Sequence, residues 1–129
     1  LAAFLGDQMQ TPPMVSAIKK NGVPLYKLAR RGETVERTPR LIHLYEFSLQ
    51  DWTPPDFAFR LRCTKGVYVR AVAHDLGQAL GCGAALARLR RTASGAFRVE
   101  RAAPLDAVLA LSPADLAARI MPLTAALTA

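Results

Sequence analysis

Apolar and polar residues alternate strictly between positions 57 and 64. Two sets of side chains would face opposite sides of this stretch: Phe57, Phe59, Leu61 and Cys63 on one, Ala58, Arg60, Arg62 and Thr64 on the other. Successive side chains of a β-strand point to opposite faces of the sheet. The pattern therefore predicts a half-buried strand with one charged face.

The same alternation continues past Gly66. Valine stands at positions 67 and 69, and Tyr68 and Arg70 continue the polar face. If the chain stays extended here, the Tyr68 and Arg70 side chains lie side by side, because residues two apart share one face of a strand. A bulge at Gly66 is the alternative, and it would break this phase.

Two further elements are indicated around this strand. Residues 41–49 are apolar and aromatic enough for a strand, and residues 51–56 follow as a loop that contains two prolines. Beyond position 70, apolar residues at helical spacing predict a helix over 71–80, which Gly81 ends.

Residues 11–40 are rich in turn-forming residues and in positive charge. Pro24 suits a first helical position, and Gly32 suits the position after a helix end. Leu25, Leu28 and Ala29 fall on one face of this short helix. Seven of the 17 basic residues lie here: Lys19, Lys20, Lys27, Arg30, Arg31, Arg37 and Arg40. A short, positively charged helix between two loops is typical of a segment that binds an anionic surface.

The C-terminal third continues with helical signals. A short helical segment is expected after Gly83, leading into a basic cluster at 86–92, and the tail from position 102 is rich in Ala and Leu. Ser112, Pro113 and Asp115 fit the cap, the first position and the first turn of a helix over 113–120. We expect that helix to cover the edge of the core.

Composition narrows the choice of partner. The 129 residues include 17 Lys and Arg against 10 acidic residues, which gives a net charge of +7 and a pI near 10.1. This balance favours nucleic acid ahead of an acidic membrane surface, with a merely solvated basic surface as the alternative. No apolar stretch is long enough to span a bilayer. Cys63 and Cys82 have no metal-ligand spacing and fit reduced core thiols of a cytoplasmic protein.

Four segments, taken in order, carry a resemblance to one family. They are Pro12-Pro13-Met14-Val15-Ser16-Ala17-Ile18-Lys19 with Gly22, Pro24-Leu25-Tyr26, Ala29-Arg30 and Gly32; Cys63-Thr64-Lys65-Gly66-Val67-Tyr68-Val69-Arg70; Asp75-Leu76-Gly77 with Gly81-Cys82-Gly83-Ala84; and Leu89-Arg90-Arg91-Thr92. Over residues 1–105 the chain resembles the bacterial tRNA pseudouridine-55 synthases of the TruB type. The first segment resembles that family's RNA-clasping insertion, the thumb, here residues 13–41.

The resemblance implies an α/β (α+β) pseudouridine synthase fold, with a mixed, mostly antiparallel sheet and flanking helices. It implies isomerisation of a uridine in the T-loop of tRNA, by breaking the C1′–N1 bond and rejoining at C5. The target base is flipped out of the loop, as enzymes that work on a base require. The family uses no metal or organic cofactor, and its partner is the T-arm stem-loop of tRNA.

One part of the family pattern has no counterpart here. The family's nucleophile is an Asp in a Gly-x-Leu-Asp-Pro-x-Ala-Thr-Gly motif upstream of the thumb, and no residues of this sequence match it. The resemblance therefore implies only part of a catalytic domain, with its N-terminal half in the same gene or another chain. We expect the 129 residues to be inactive alone. Position 15 is Val where the family commonly has Tyr.

Three residues are candidates for the active site by this resemblance. Tyr68 would pack against the target base and assist proton removal at C5, its alternative being a core tyrosine at a strand end. Arg70 would pair with the nucleophilic Asp and keep it ionised and aimed, its alternative being a strand-face arginine that meets phosphate or solvent. Leu89 would wall the nucleotide pocket, its alternative being core packing. Asp75 is the tempting substitute nucleophile, but a structural role is the better interpretation.

The remaining candidates would contact RNA, mainly at phosphates. They are Lys19, Lys20, Tyr26, Arg30, Arg31, Lys65, Arg90 and Arg91.

The resemblance also divides the chain into three segments. They are the thumb at 13–41, an active-site half-sheet with helices at 57–101, and a C-terminal helical tail at 102–129.

Two other functions remain open. A non-catalytic RNA-binding protein could have kept the clasp and lost the chemistry, and an upstream Leu-Asp-Pro segment in the same gene would argue against it. The related guide-RNA-dependent branch is disfavoured by the bacterial-style Gly81-Cys82-Gly83-Ala84 and the spacing of the thumb.

Overall fold

A three-stranded antiparallel sheet forms the frame of residues 1–87. The computed structural model describes residues 1–127. The chain forms two compact units, Leu1–Ala87 and the part from Arg88 onward. In the first unit, strands β1 (Gly6–Gln10), β4 (Arg40–Thr53) and β5 (Asp56–Cys63) pair in the order β1-β4-β5. Gln10 at the end of β1 lies opposite Arg40, at the start of β4.

The alternation at 57–64 is confirmed as a half-buried strand. In β5 the four apolar positions are partly buried and the intervening positions are exposed. The predicted loop at 51–56 is wrong in its extent, because Trp52 and Thr53 extend β4 by pairing with Phe57 and Asp56. The turn is confined to Pro54 and Pro55, where the absence of a backbone N–H costs no ladder hydrogen bond.

The core lies between β4 and the helix α2 (Val69–Ala79). Its buried members are Ile42, Leu44, Phe47, Val72 and Leu76. The spacing 42, 44, 47 departs from a strict period of two. The register explains this: Leu44 lies opposite Cys63 and Glu46 opposite Arg62, so Tyr45 is an extra residue that shifts the inward phase by one position.

The expectation that residues 67–70 are extended is wrong. The strand ends at Cys63, and Gly66 turns the chain in a left-handed conformation with φ +85°, which glycine adopts without steric cost. Helix α2 then begins at Val69, so Arg70 lies in its first turn. Val69 fits either period, because it lies two residues after Val67 and three residues before Val72. The pair Val72 and Leu76 decides for the helix, because both are buried at a spacing of four. The predicted helix over 71–80 is otherwise confirmed.

Gly77 is where the chain after α2 returns against the helix. The backbone amides of Cys82 and Gly83 both donate to the Gly77 carbonyl, at 3.2 and 2.9 Å. A Cβ at position 77 would lie 2.1 Å from the amide nitrogen of Ala84. This return replaces the helical segment expected after Gly83. That prediction is wrong, because residues 81–92 contain turns and irregular chain only. Cys82, expected as a core thiol, is exposed in this turn, whereas Cys63 is partly buried and packs against the core.

The thumb contains a small hairpin followed by a short helix. Strands β2 (Lys19–Lys20) and β3 (Val23–Pro24) are joined by Asn21 and Gly22, both with positive φ, as a two-residue hairpin turn requires. Helix α1 (Leu25–Arg30) follows directly, with Pro24 at the cap rather than at the first helical position. Gly32 lies just past the helix end with φ +75°, as predicted.

The second unit consists of short elements. They are β6 (Ala93–Ser94), β7 (Phe97–Arg98), α3 (Leu105–Leu109), α4 (Pro113–Arg119) and α5 (Leu123–Leu127). The predicted cap of α4 is confirmed, since Ser112 Oγ accepts a hydrogen bond from the Asp115 amide at 3.2 Å. The last two positions of the predicted helical tail, 128 and 129, lie outside the described residues.

The chain has an α+β fold, as expected. All strand pairings in the described part of the chain are antiparallel. Between residues 1 and 127, no helix has both the length and the apolar character needed to cross a membrane.

Candidate RNA interface and active site

The backbone of Tyr68 is held by the side chain of Gln10. Gln10 Oε1 accepts from the Tyr68 amide at 2.8 Å, and Gln10 Nε2 donates to the Tyr68 carbonyl at 3.2 Å. Gln10 is only 5% exposed, although it is polar. Tyr68 is the residue that caps α2, and it makes no local side-chain cap hydrogen bond. A side chain 58 positions earlier in the sequence therefore fixes the start of this helix.

The turn before Tyr68 is fixed to the sheet by Thr64. The Thr64 amide donates to the His43 carbonyl, and Thr64 Oγ1 accepts from the His43 amide, both at 3.0 Å. Val67 packs against the core cluster. Thr64 and Val67 hold the two sides of the Gly66 turn, so the chain enters α2 from a defined position.

Arg70 joins the start of α2 to the thumb. Its Nη2 donates to the backbone carbonyl of Val15 at 2.7 Å. A guanidinium has five N–H donors, so one bond to Val15 leaves others able to bind an anion. The N-terminus of a helix also attracts negative charge. The exposed Arg70 at this end of the eleven-residue α2 is therefore suited to receive a carboxylate or a phosphate.

Tyr68 and Arg70 therefore come together differently from the expectation. They are not neighbours on a strand face; Tyr68 caps the helix and Arg70 lies in its first turn. Tyr68 is half-buried, and Lys65 is exposed in the preceding turn. The structure thus places three of the candidate site residues within one short segment of the first unit.

The candidate thumb residues lie on its surface or close to it. Lys19, Lys20, Arg30 and Arg31 are exposed, and Tyr26 is half-buried with the Arg30 guanidinium carbon 5.4 Å from its ring centroid. Local partners hold some of them. Lys20 Nζ donates to the Glu36 carbonyl at 3.1 Å, and Arg31 Nη1 lies 3.9 Å from Glu33 Oε1. These exposed contacts are weak enough to exchange for phosphate.

Leu89, Arg90 and Arg91 belong to the second unit. They lie in the irregular run before β6, and Arg90 and Arg91 are exposed. Leu89 is 66% exposed, so core packing does not account for it in the described structure.

A row of side-chain contacts across the sheet was not expected from the sequence. Asp7 Oδ1 lies 2.6 Å from His43 Nδ1, the His43 and Tyr45 rings are 4.5 Å apart, and Arg62 lies 4.8 Å from the Tyr45 ring centroid. The partner of His43 is on a different strand, and the pairing of β1 with β4 places the two residues opposite each other. Among residues 1–127, no group of three or more His, Cys, Asp or Glu side chains is placed to hold a metal ion.

Positive charge concentrated in one exposed segment, here joined to the exposed Arg70, is a feature of proteins that bind nucleic acid. Comparison with known families specifies the class. Residues 1–69 match the N-terminal domain of the TruB family of pseudouridylate synthases, and residues 70–128 match the C-terminal domain of tRNA pseudouridylate synthase B. The match extends beyond residue 105, where the resemblance recognised in the sequence ended.

Individual relatives agree with the family match. The chain is 58% identical over 122 residues to the tRNA pseudouridine synthase B of Opitutus terrae, covering 95% of this chain and 51% of that protein. It is 51% identical to the synthase B of Francisella philomiragia, covering 87% and 37%, and 47% identical to that of Burkholderia mallei, covering 99% and 42%. The chain belongs to the TruB family of pseudouridine synthases. It spans about half the length of these relatives or less.

Proposed function

We propose that the chain supplies the RNA clasp and part of the active site of an enzyme that isomerises the T-loop uridine at position 55 of tRNA to pseudouridine. The observation that carries this proposal is the hydrogen bond from Arg70 to the Val15 carbonyl. It joins the candidate catalytic arginine directly to the candidate RNA clasp. Family membership and the printed names of the relatives support the reaction and the substrate class.

The reaction breaks the C1′–N1 bond of a uridine and forms a C1′–C5 bond. C5 loses a proton and N1 gains one, so no redox or group-transfer partner is needed. The nucleophilic carboxylate is expected from an Asp upstream of this chain. Arg70 binds that carboxylate with its remaining N–H groups, and the N-terminus of α2 adds favourable potential. Once RNA excludes water from the site, this pairing keeps the carboxylate ionised.

Tyr68 contributes a flat, mostly apolar surface that carries one hydroxyl. Its ring packs against the flipped uracil, because a base taken out of its stack needs a new stacking surface. Its hydroxyl assists removal of the C5 proton. Leu89 forms an apolar wall of the nucleotide pocket. These roles rest on the match between this sequence and the family motifs.

The basic residues bind the T-arm through its phosphates. Lys19, Lys20, Arg30 and Arg31, with Tyr26, contact RNA from the thumb at 13–41, and Lys65, Arg90 and Arg91 contact it from the half-sheet at 57–101. Such contacts set affinity and salt dependence rather than sequence choice. The enzyme acts in the cytoplasm, where tRNA is modified.

The proposal is tested by mapping pseudouridine in a tRNA transcript treated with this chain together with the upstream segment of its own gene. Modification is expected at position 55 and at no other uridine. A transcript with cytidine at position 55 is the control for site selection. Tight binding of the transcript without any modification would favour a non-catalytic RNA-binding protein instead.

We also expect these 129 residues to carry only part of the activity. The chain alone should bind the T-arm and convert nothing, because the nucleophile comes from the missing half. That half is in the same gene or in a companion chain. Asp75 is exposed on α2 and is not assigned this role.

A further inference from the structure

Gln10 makes two hydrogen bonds that the proposed chemistry does not use. A primary amide carries both a donor and an acceptor, and Gln10 directs one of each to the same residue, Tyr68. This is the exchange of two hydrogen bonds that one residue makes with its partner in an antiparallel ladder. Through it, the end of β1 is joined to the start of α2 without a further strand.

The burial of Gln10 makes these hydrogen bonds costly to lose. A buried polar group without a partner is strongly unfavourable, and Gln10 is 5% exposed. If its amide were replaced by an apolar group, the Tyr68 amide would lose the acceptor that Gln10 Oε1 provides. The Tyr68 carbonyl would keep the amides of Ala71 and Val72, at 2.9 and 3.2 Å. The expected loss is thus local to the backbone on the N-terminal side of Tyr68.

A further hydrogen bond joins the same two parts of the chain close by. Five residues after Gln10, the Val15 carbonyl accepts from Arg70, two residues after Tyr68. The chain entering the thumb is therefore joined to the start of α2 at two points, once through a side-chain amide and once through a guanidinium. With both in place, Tyr68 and Arg70 are fixed relative to each other and to the root of the thumb.

We infer that Gln10 is a positioning residue for the isomerisation, holding the Tyr68 backbone so that the tyrosine and Arg70 meet the target base and the nucleophile in reactive geometry. This inference rests on the proposed function for its catalytic consequence. Gln10 acts through Tyr68 and touches neither the substrate nor the reacting atoms. A displacement of about 1 Å in such a site can cost on the order of 100-fold in rate.

Two substitutions and one matched control separate the effects. Gln10→Leu and Gln10→Met each remove both hydrogen bonds at nearly constant volume. Gln8→Leu is the control, because Gln8 lies two residues earlier in the same strand and donates to the Phe4 carbonyl at 2.6 Å. It loses a comparable hydrogen bond away from Tyr68.

The first readout is amide hydrogen exchange at Tyr68 in the 129-residue chain, which does not depend on the proposed function. Exchange is expected to be about 10-fold faster in Gln10→Leu than in the wild type, and unchanged in Gln8→Leu. Equal exchange at Tyr68 in the wild type and Gln10→Leu would overturn the inference.

The second readout is turnover of a T-arm hairpin by the chain together with its upstream segment. In Gln10→Leu, kcat is expected to fall about 30- to 100-fold while KM changes less than about threefold, with Gln10→Met similar. A purely structural role would instead reduce kcat only by the fraction unfolded and would affect Gln8→Leu alike, and either result would overturn the inference. No turnover in the wild type would refute the proposed function, and hydrogen exchange at Tyr68 would still decide the positioning.

Discussion

Arg70 Nη2 donates to the backbone carbonyl of Val15 at 2.7 Å, across 55 positions of sequence. The donor lies in the first turn of α2, and the acceptor lies in the thumb. This bond fixes one side of the guanidinium plane, so its remaining N–H groups have a defined direction. A lysine could supply the charge here but not the planar set of donors.

Arg70→Lys is therefore expected to lower kcat on the order of 100-fold in the chain combined with its upstream segment. The affinity for a T-arm hairpin should change less than about threefold, because one positive charge is retained. The measurement is steady-state turnover alongside equilibrium binding. Arg60→Lys, at an exposed position of β5, is the control and should leave both quantities unchanged. A loss of affinity with kcat unchanged in Arg70→Lys would assign Arg70 to RNA binding alone.

The salt dependence of RNA binding tests the thumb. Lys19→Ala combined with Lys20→Ala should reduce the slope of log affinity against log salt concentration by about 0.7 to 0.9 for each phosphate that the double variant no longer neutralises. The slope is measured with the 129-residue chain and a T-arm hairpin at several salt concentrations. Arg119→Ala, on α4, removes an exposed charge elsewhere and should leave the slope unchanged. An unchanged slope in the double variant would place these lysines outside the RNA interface.

Gly77→Ala should destabilise the first unit by about 2 kcal/mol or more. Alanine favours a helix over glycine by about 1 kcal/mol, but the new Cβ would meet the Ala84 backbone. That contact would be at 2.1 Å, and a backbone atom cannot move away as a flexible side chain can. Urea unfolding provides the measurement. Gln78→Ala, at the adjacent exposed position, should change the unfolding free energy by less than about 0.5 kcal/mol. Equal stability of Gly77→Ala and the wild type would refute the close approach.

Substitutions of two leucines one turn apart, at and just after the C-terminal end of α2, should differ strongly in their effect on stability. Leu76 is 4% exposed and belongs to the core cluster, whereas Leu80, which caps the end of the helix, is 65% exposed. Leu76→Ala should cost about 2 to 5 kcal/mol of unfolding free energy, and Leu80→Ala less than about 0.5 kcal/mol. Comparable losses in the two variants, measured by urea unfolding, would contradict the packing of α2 against β4.

Local patterns predicted much of the fold. The alternation around Phe59 predicted β5, the periodicity at Val72 and Leu76 predicted α2, and Ser112 predicted the cap of α4. In each case the residues that specify the element are neighbours in sequence. The helix and strand periods could not be told apart at Val69, because it lies two residues from the apolar Val67, as in a strand, and three residues from Val72, as in a helix.

The features that local patterns did not predict depend on long-range pairing. The extra residue Tyr45 changes the inward phase of β4, and only the register with β5 reveals it. The hydrogen bonds of Gln10 with Tyr68 join positions 58 apart, and nothing in the local sequence of either residue signals them. The site motif itself was recognisable because its residues are contiguous, but its conformation was set by Gly66 and by the packing of α2.

The proposed role of these residues is to supply the clasp, Tyr68 and Arg70 to an isomerase whose nucleophile lies upstream. Its most direct test is tritium release from a T-arm hairpin labelled at C5 of the target uridine, measured with the 129-residue chain alone and again after the upstream segment is restored. We expect no release from the chain alone, and release with the upstream segment that depends on Arg70. Release from the chain alone would place the nucleophile within these residues, with Asp75 the first to substitute, and would rule out this role.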